Sequence, residues 1–278
     1  MCPSLLDIHG MQLDQKRLLI FGGINRRIRY DDVWVLNVAD KKWEQPKIEG
    51  PCPAARAHHT ATKCGNKILV FGGYAGNGRA LGDLWILHLS EDCVPLRWEE
   101  ALLSGAPPTP RFDHCAFIFP VTPNSSTFDK YMVMGGRDNS SQFSDSYMLD
   151  LNKMAWESDA KPPALTYELC NNLCDDIESV PYHKVFTFGG KRGATDFQNV
   201  VEVMDCGMQF WHQPEVQGTP PCPRYLQTAN CSHVAGINSF LSKTTPMCHL
   251  RLLKVQEPAD ILLVAKLGCD RTLRGHDP

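Results

Sequence analysis

A pair of adjacent glycines closes a short apolar run four times in this chain, at Gly22-Gly23, Gly72-Gly73, Gly135-Gly136 and Gly189-Gly190. The runs read RLLIFGG, KILVFGG, KYMVMGG and KVFTFGG. A second apolar run follows each pair: DDVWVLNV, GDLWILHL, SDSYMLDL and NVVEVMDC. A tryptophan comes next (Trp43, Trp98, Trp156, Trp211), lying 21, 26, 21 and 22 residues after the first glycine. Arg56, Arg111 and Arg224 each lie 13 residues past one of these tryptophans, and the first two open the runs ARAHHTATKC and PRFDHCAFIF. Features recurring in one order make each copy a structural unit, which constrains the fold more tightly than any composition figure.

The physics of one unit is that of strands. Runs of five to eight β-branched and aromatic residues bounded by Gly, Pro and Asp fit strands, and no helical period survives between them. A glycine pair at a strand end permits positive φ and close approach of a neighbouring backbone. A phosphate-binding loop instead needs a helix N-terminus and a lysine after its glycines, and these glycines lead into another strand. Each unit therefore reads as a four-stranded meander, with one strand after the arginine, one before the glycines, one after them and one at the tryptophan. A lone sheet cannot bury both faces, whereas stacked units can. The second strands are expected at Leu18–Phe21, Ile68–Phe71, Tyr131–Met134 and Val185–Phe188.

This pattern of double glycine, spaced aromatic and spaced tryptophan resembles the kelch-repeat family, whose repeats form the blades of β-propellers. The resemblance covers residues from about 9 to 234 and implies an all-β, kelch-type propeller with four recognisable blades and a partial fifth near Arg224. His9 stands 13 residues before Gly22, as His59 does before Gly72, so the chain is expected to begin in mid-blade. Three departures stand out. The third unit carries an insert, FPVTPNSSTFDK; the fourth has Leu169 where its arginine is expected; residues 235–278 have neither a glycine pair nor a tryptophan. Kelch propellers close with five to seven blades, as the resemblance implies. The expected division is therefore kelch repeats over 1–234 and a divergent tail over 235–278. The tail runs HLRLLKV (249–255) and DILLVAKL (260–267) are candidate edge strands. The favoured expectation is a tail outside any blade, in a partial or spliced chain. Unpaired edges would then limit solubility.

Composition narrows the function. A formal net charge of −3 supplies no bulk electrostatic case for nucleic acid. The 12 cysteines are scattered, and the N-terminus lacks a basic start followed by a long apolar run. We read the thiols as free and the compartment as cytoplasmic or nuclear, which leaves the sequons at Asn124, Asn139 and Asn230 without glycan meaning. No run reaches the roughly 18 apolar residues of a membrane helix.

Candidate chemistry is sparse. Cys170, Cys174 and His183 lack the second ligand pair typical of zinc sites. His58, His59 and His114 follow arginines at recurring positions, which favours a structural role. No Gly-x-Ser-x-Gly, His-Glu-x-x-His or paired-carboxylate signature occurs. The resemblance extends to propeller enzymes such as copper oxidases, but their tyrosine, cysteine and histidine ligand set is not identifiable here. The expectation is a non-catalytic chain without cofactor or metal.

What remains is a surface for a protein partner. The resemblance implies an interaction module, a scaffold or adaptor, with substrate recognition in a ubiquitin ligase as the alternative and a metal-dependent enzyme as a weaker third. In a meander the loops between second and third strands share a face with the inter-blade connections. Those loops, 24–31, 74–82, 137–144 and 191–198, hold Arg26, Arg27, Arg29, Arg79, Arg137, Lys191 and Arg192 against Asp31, Asp138 and Asp196. Seven positive and three negative charges give +4 there, and −7 on the rest of the chain. Tyr30, Tyr74 and Phe143 add aromatic anchors of the kind found at interface cores. Acidic residues of the connections dilute this charge, while Arg56, Arg111 and Arg224 add to it. The expected ligand is an acidic or phosphorylated protein segment.

Overall fold

The computed structural model describes residues 7–12, 17–89, 96–119, 130–157, 170–174, 184–192, 196–205, 210–223, 228–231, 252–255 and 261–266. Every regular element among them is a strand. The chain divides into two compact units, Met1–Glu168 and Leu169–Pro278.

The first unit holds three sheets, each built on an antiparallel meander. The first contains β1 (Asp7–Gln12), β2 (Arg17–Asn25), β4 (Val33–Asn37) and β5 (Lys42–Glu44) in that order, with the short β3 (Ile28–Arg29) folded back on β2. The second runs β7 (Thr60–Cys64), β8 (Lys67–Gly76), β9 (Arg79–His88), β10 (Leu96–Glu100), with β6 (Ile48–Glu49) added in parallel along β10. The third runs β11 (Cys115–Phe119), β12 (Lys130–Met134), β13 (Ser146–Asp150), β14 (Ala155–Glu157). The insert of the third repeat falls between β11 and β12, and its residues 120–129 lie outside the described ones.

Stacking buries both faces of the middle sheet. Ile68, Val70, Trp85, Leu87 and Trp98 pack on Leu19, Phe21, Val33 and Val35 of the first sheet. The alternate residues Leu69, Phe71, Leu84 and Ile86 pack on Ile118, Tyr131, Val133, Leu149 and Trp156 of the third. β8 is therefore continuously apolar because its period-two alternation meets a neighbour on each side. The repeating tryptophan has a specific duty. Trp98 sits 4.8 Å from the Phe21 ring of the preceding sheet, and Trp156 5.7 Å from Phe71. Fully burying such a side chain contributes on the order of 2–3 kcal/mol.

The second unit holds a fourth repeat sheet, β15 (Cys170–Cys174), β16 (Lys184–Phe188), β19 (Val201–Asp205), β20 (Phe210–His212), and a ribbon of β17 (Lys191–Arg192) with β18 (Asp196–Phe197). A further sheet has the order β21 (Val216–Gln217), β23 (Leu252–Val255), β24 (Ile261–Lys266), β22 (Thr228–Cys231). Both apolar runs of residues 235–278 form its central strands. All four expected second strands are present, within β2, β8, β12 and β16.

Register corrects two alignments. His9 pairs with Phe21 as Thr60 pairs with Phe71 and Cys115 with Met134, so His9 holds the place of Thr60, not that of His59. The entry to β1 has one residue fewer in its bulge than the entry to β7. Likewise Cys170 pairs with Phe188. Counting back from it, Thr166 rather than Leu169 matches Arg56 and Arg111. The connection after Trp156 is three residues shorter than the other two. Both Thr166 and Leu169 lie outside the described residues.

Candidate functional site

The glycine pair organises one end of each sheet in the first unit. Gly72 and Gly73 have φ of 60° and 104°. A Cβ on Gly72 would stand 2.7 Å from the Arg111 carbonyl of the next connection. A Cβ on Gly73 would stand 2.8 Å from the His59 Cβ at the entry to its own first strand. The pair is thus pinched between two backbones, and only glycine fits. The contact is built from backbone: Gly73 N–H donates to Arg111 O at 2.9 Å, as Gly23 N–H does to Arg56 O. Inter-blade connections and second-to-third-strand loops therefore meet on one face.

Arg56 and Arg111 require a correction. Sequence counting adds both to the basic surface, yet both are fully buried. Arg56 donates from Nε to Ala54 O, from Nη1 to Gly72 O, and in a two-pronged pair to Asp83 at 2.9 and 2.8 Å. Arg111 repeats the set with Thr109 O, Gly135 O and Asp145. Burial of Asp83 works against its charge, but Arg56 and the Trp85 indole hold its carboxyl below the usual carboxylate range. These arginines fasten each sheet to the connection before it; their charge is spent internally.

The recurring histidines are also internal. His59 and His114 are buried, with rings edge-on to Phe21 and Phe71 at 5.3 Å. His114 Nε2 shares a 2.8 Å hydrogen bond with Thr60 Oγ1. Cys170 and Cys174 are the two ends of β15, and His183 lies outside the described residues. Among the described residues no cluster of three or more His, Cys, Asp or Glu could hold a metal ion.

The solvent side of this face carries a row of aromatic and cationic groups. β2 and β8 run past their glycine pairs and return through tight turns, so 74–82 is a strand ribbon rather than a loop. Its tip is Asn77-Gly78, both at positive φ, the signature of a type I′ hairpin. The Arg29 guanidinium lies over the Tyr74 ring at 4.7 Å. Tyr74 packs on Phe112 at 5.1 Å, and the Arg137 guanidinium covers Phe112 at 4.7 Å. Asn139 Nδ2 ties the next loop to Gly78 O at 2.6 Å. Asp113 joins the row beneath, receiving Arg137 Nε and facing His58 Nδ1, each at 2.9 Å. Its burial opposes ionisation, but His58 and Arg137 keep its carboxyl below the usual range. The Nε of Arg29 is buried with no acceptor among the described residues.

Of the residues singled out from sequence, Arg29, Tyr74 and Arg137 come together in this row. Arg26, Arg27 and Arg79 are exposed beside it. Tyr30 is half-buried and works through its backbone, donating to Gly23 O and accepting from Arg56 N–H. Phe143 is half-buried under the Arg111 guanidinium at 4.5 Å, so it backs a structural arginine. Lys191 and Arg192 lie in the second unit on β17, paired with Phe197 and Asp196. Sequence reasoning missed Phe112 and Asp113, and it gave His58 a structural role only. The available signal was their place one or two residues after a repeat arginine, where His58 and Asp113 adopt φ of 57° and 56°.

Comparison with known proteins agrees with this architecture. The family model described as the KLHDC2/KLHL20/DRC7 Kelch-repeats domain matches residues 2–163, more than half of the chain. The chain is 56% identical over 215 residues to the dynein alpha chain of the flagellar outer arm of Chlamydomonas reinhardtii, covering 76% of this chain and 5% of that protein. It is 29% identical over 230 residues to human host cell factor 2, covering 77% and 27%. It is 29% identical over 198 residues to tip elongation aberrant protein 1 of Schizosaccharomyces pombe, covering 69% and 16%. The chain thus spans a small part of each relative's length.

Proposed function

Since the chain belongs to the kelch-repeat family, we propose that it is a non-catalytic adaptor module whose first unit binds an acidic or phosphorylated segment of a protein partner. The observation that carries this reading is the row Arg29, Tyr74, Phe112, Arg137. Each guanidinium there lies over an aromatic ring, at 4.7 Å from its centroid, which holds a charged fork in place at small entropic cost, the kind of group that pairs with carboxylate or phosphate. Arg26, Arg27 and Arg79 at the rim steer an acidic partner inward.

The identity with a flagellar dynein chain supports an adaptor within a motor assembly over substrate recognition in a ubiquitin ligase. The likeness to host cell factor 2 goes with a cytoplasmic or nuclear setting, whereas the likeness to a flagellar dynein chain does not bear on it. No described helix is long and apolar enough to cross a membrane.

The test is an array of acidic and serine-phosphorylated peptides probed with the purified chain at low salt. Replacing Arg26, Arg27 and Arg29 with Ser should weaken selected peptides about tenfold and flatten the salt dependence. If affinity and salt dependence both stay unchanged, the acidic-segment reading fails.

A further inference from the structure

The arginine fastening found at the second and third sheets has an acceptor but no arginine at the first. In the second sheet, Asp83 accepts the Trp85 indole N–H at 2.7 Å and the Arg56 fork, while Gly72 O completes the cradle. In the first sheet Asp32 accepts the Trp34 indole N–H at 2.8 Å, as its counterpart does. Its backbone carbonyl accepts from Gly22 N–H at 3.1 Å, the link that Asp145 makes to Gly135. No cation joins the Asp32 carboxylate among the described residues. The pair Asp7–Ile24 corresponds to the bridges Ala57–Tyr74 and Phe112–Arg137. The residue preceding Ala57 or Phe112 is arginine; the residue preceding Asp7 is Leu6.

The fourth sheet shows what a retired fastening looks like. Gly189 N–H donates to Val200 O, so an apolar residue replaces the aspartate there. Thr166 stands at the arginine position. The two halves are lost together in that repeat, whereas the first sheet keeps its carboxylate and its indole partner.

A second observation concerns the same side of the first sheet. Leu18, Trp34, Leu36 and Trp43 match Ile68, Trp85, Leu87 and Trp98, which are buried against a preceding sheet. In the first sheet all four are only half-buried. That apolar face carries the preset Asp32 carboxylate at its end.

We propose that the Asp32 carboxylate, the Gly22 carbonyl and the half-buried Leu18–Trp43 face form a docking site. Its occupant is a partner polypeptide that carries an arginine on a proline-rich extended segment. The chemistry of the occupant is set by charge complementarity and by Arg56 and Arg111, which follow PCPAA and APPTP in this chain. A planar two-pronged donor fits Asp32, and lysine does not reproduce it. This site is distinct from the aromatic–arginine row, and its failure would leave that reading standing.

The probe is a fluorescent peptide of residues 105–114, which contains Arg111, titrated into the full chain. Binding is expected, weakened about tenfold or more by Asp32→Asn and by lysine in place of the peptide's arginine. Asp32→Asn keeps an acceptor for Trp34, so its melting temperature should match the wild type and show that loss of binding is not loss of fold. Independently, Leu6→Arg puts an arginine directly before Asp7, the sequence position that Arg56 and Arg111 hold before Ala57 and Phe112. It should abolish peptide binding and raise the melting temperature, and adding Asp32→Asn should erase the gain. Absence of binding up to millimolar peptide, or binding indifferent to Asp32→Asn, overturns the proposal. A Leu6→Arg change with no effect on either readout overturns it as well.

Discussion

Replacing Arg56 with Met tests whether the repeat arginine is a fastener. Arg56 is fully buried and makes four hydrogen bonds, to Ala54 O, Gly72 O and both Asp83 oxygens. Stranding one member of a buried ion pair costs about 3–5 kcal/mol. The Asp83 side chain keeps 27% exposure, so water recovers part of its charge and the low end, about 3 kcal/mol, is expected. Asp83→Asn strands the fully buried guanidinium, leaving it two carbonyls and a neutral acceptor; it should also cost about 3–5 kcal/mol. The double variant should fall short of the sum by about 1–2 kcal/mol, because either change alone already breaks the pair. The assay is urea unfolding followed by tryptophan fluorescence, with m held constant as the check on a common unfolded state. Asp32→Asn, at the site that lacks an arginine, serves as control and should stay within about 0.5 kcal/mol of wild type. Refutation would be an Arg56→Met cost below about 1 kcal/mol, or single changes that simply add.

Two other perturbations follow from the same geometry. Gly73→Ala sets a Cβ 2.8 Å from His59 Cβ at a φ of 104°, and should cost about 3 kcal/mol in the same assay. Gly65→Ala, at φ 56° with nothing within 4 Å, should cost only about 1 kcal/mol; equal costs would show that the pinch is not real. Acid should act late. Asp83 and Asp113 are held below the usual carboxylate range, and Asp150 sits at about 2 through Lys130 and the backbone N–H groups of Lys153 and Asn152, against the cost of burial. Groups whose folded pKa is depressed contribute stability that is complete above the unfolded value of about 4 and is lost as pH falls through the folded value. The urea midpoint should therefore show no carboxylate-linked loss from pH 7 to about 5, then decline toward pH 2; an early loss assigned to these residues by Asp→Asn variants would contradict the assignment.

The repeat was legible because its parts are local. An apolar run, a glycine pair and a tryptophan lie within one meander, and the glycines announce positive φ whatever surrounds them. The partners of Arg56 were not legible. Asp83 lies 27 residues away, and an arginine in a proline-rich connection reads as surface until the fold brings a carboxylate to it. Phe112 was passed over because it looks like the lead-in to β11. Its place beneath the row depends on Tyr74 and Arg137 converging on it from two other segments. The slips at His9 and at Leu169 have one origin: spacing was carried across connections whose lengths differ, and only register shows where a residue has been gained or lost.

The central claim is that the aromatic–arginine row is the surface that meets the partner. Hydrogen–deuterium exchange of the chain with and without the strongest acidic peptide from the array tests it most directly. Protection is predicted over residues 24–31, 74–80 and 137–144 and at Phe112 and Asp113, and it should vanish when Arg29 and Arg137 are both replaced with Ser. Protection confined to other segments, or protection unchanged in that double variant, would contradict the account.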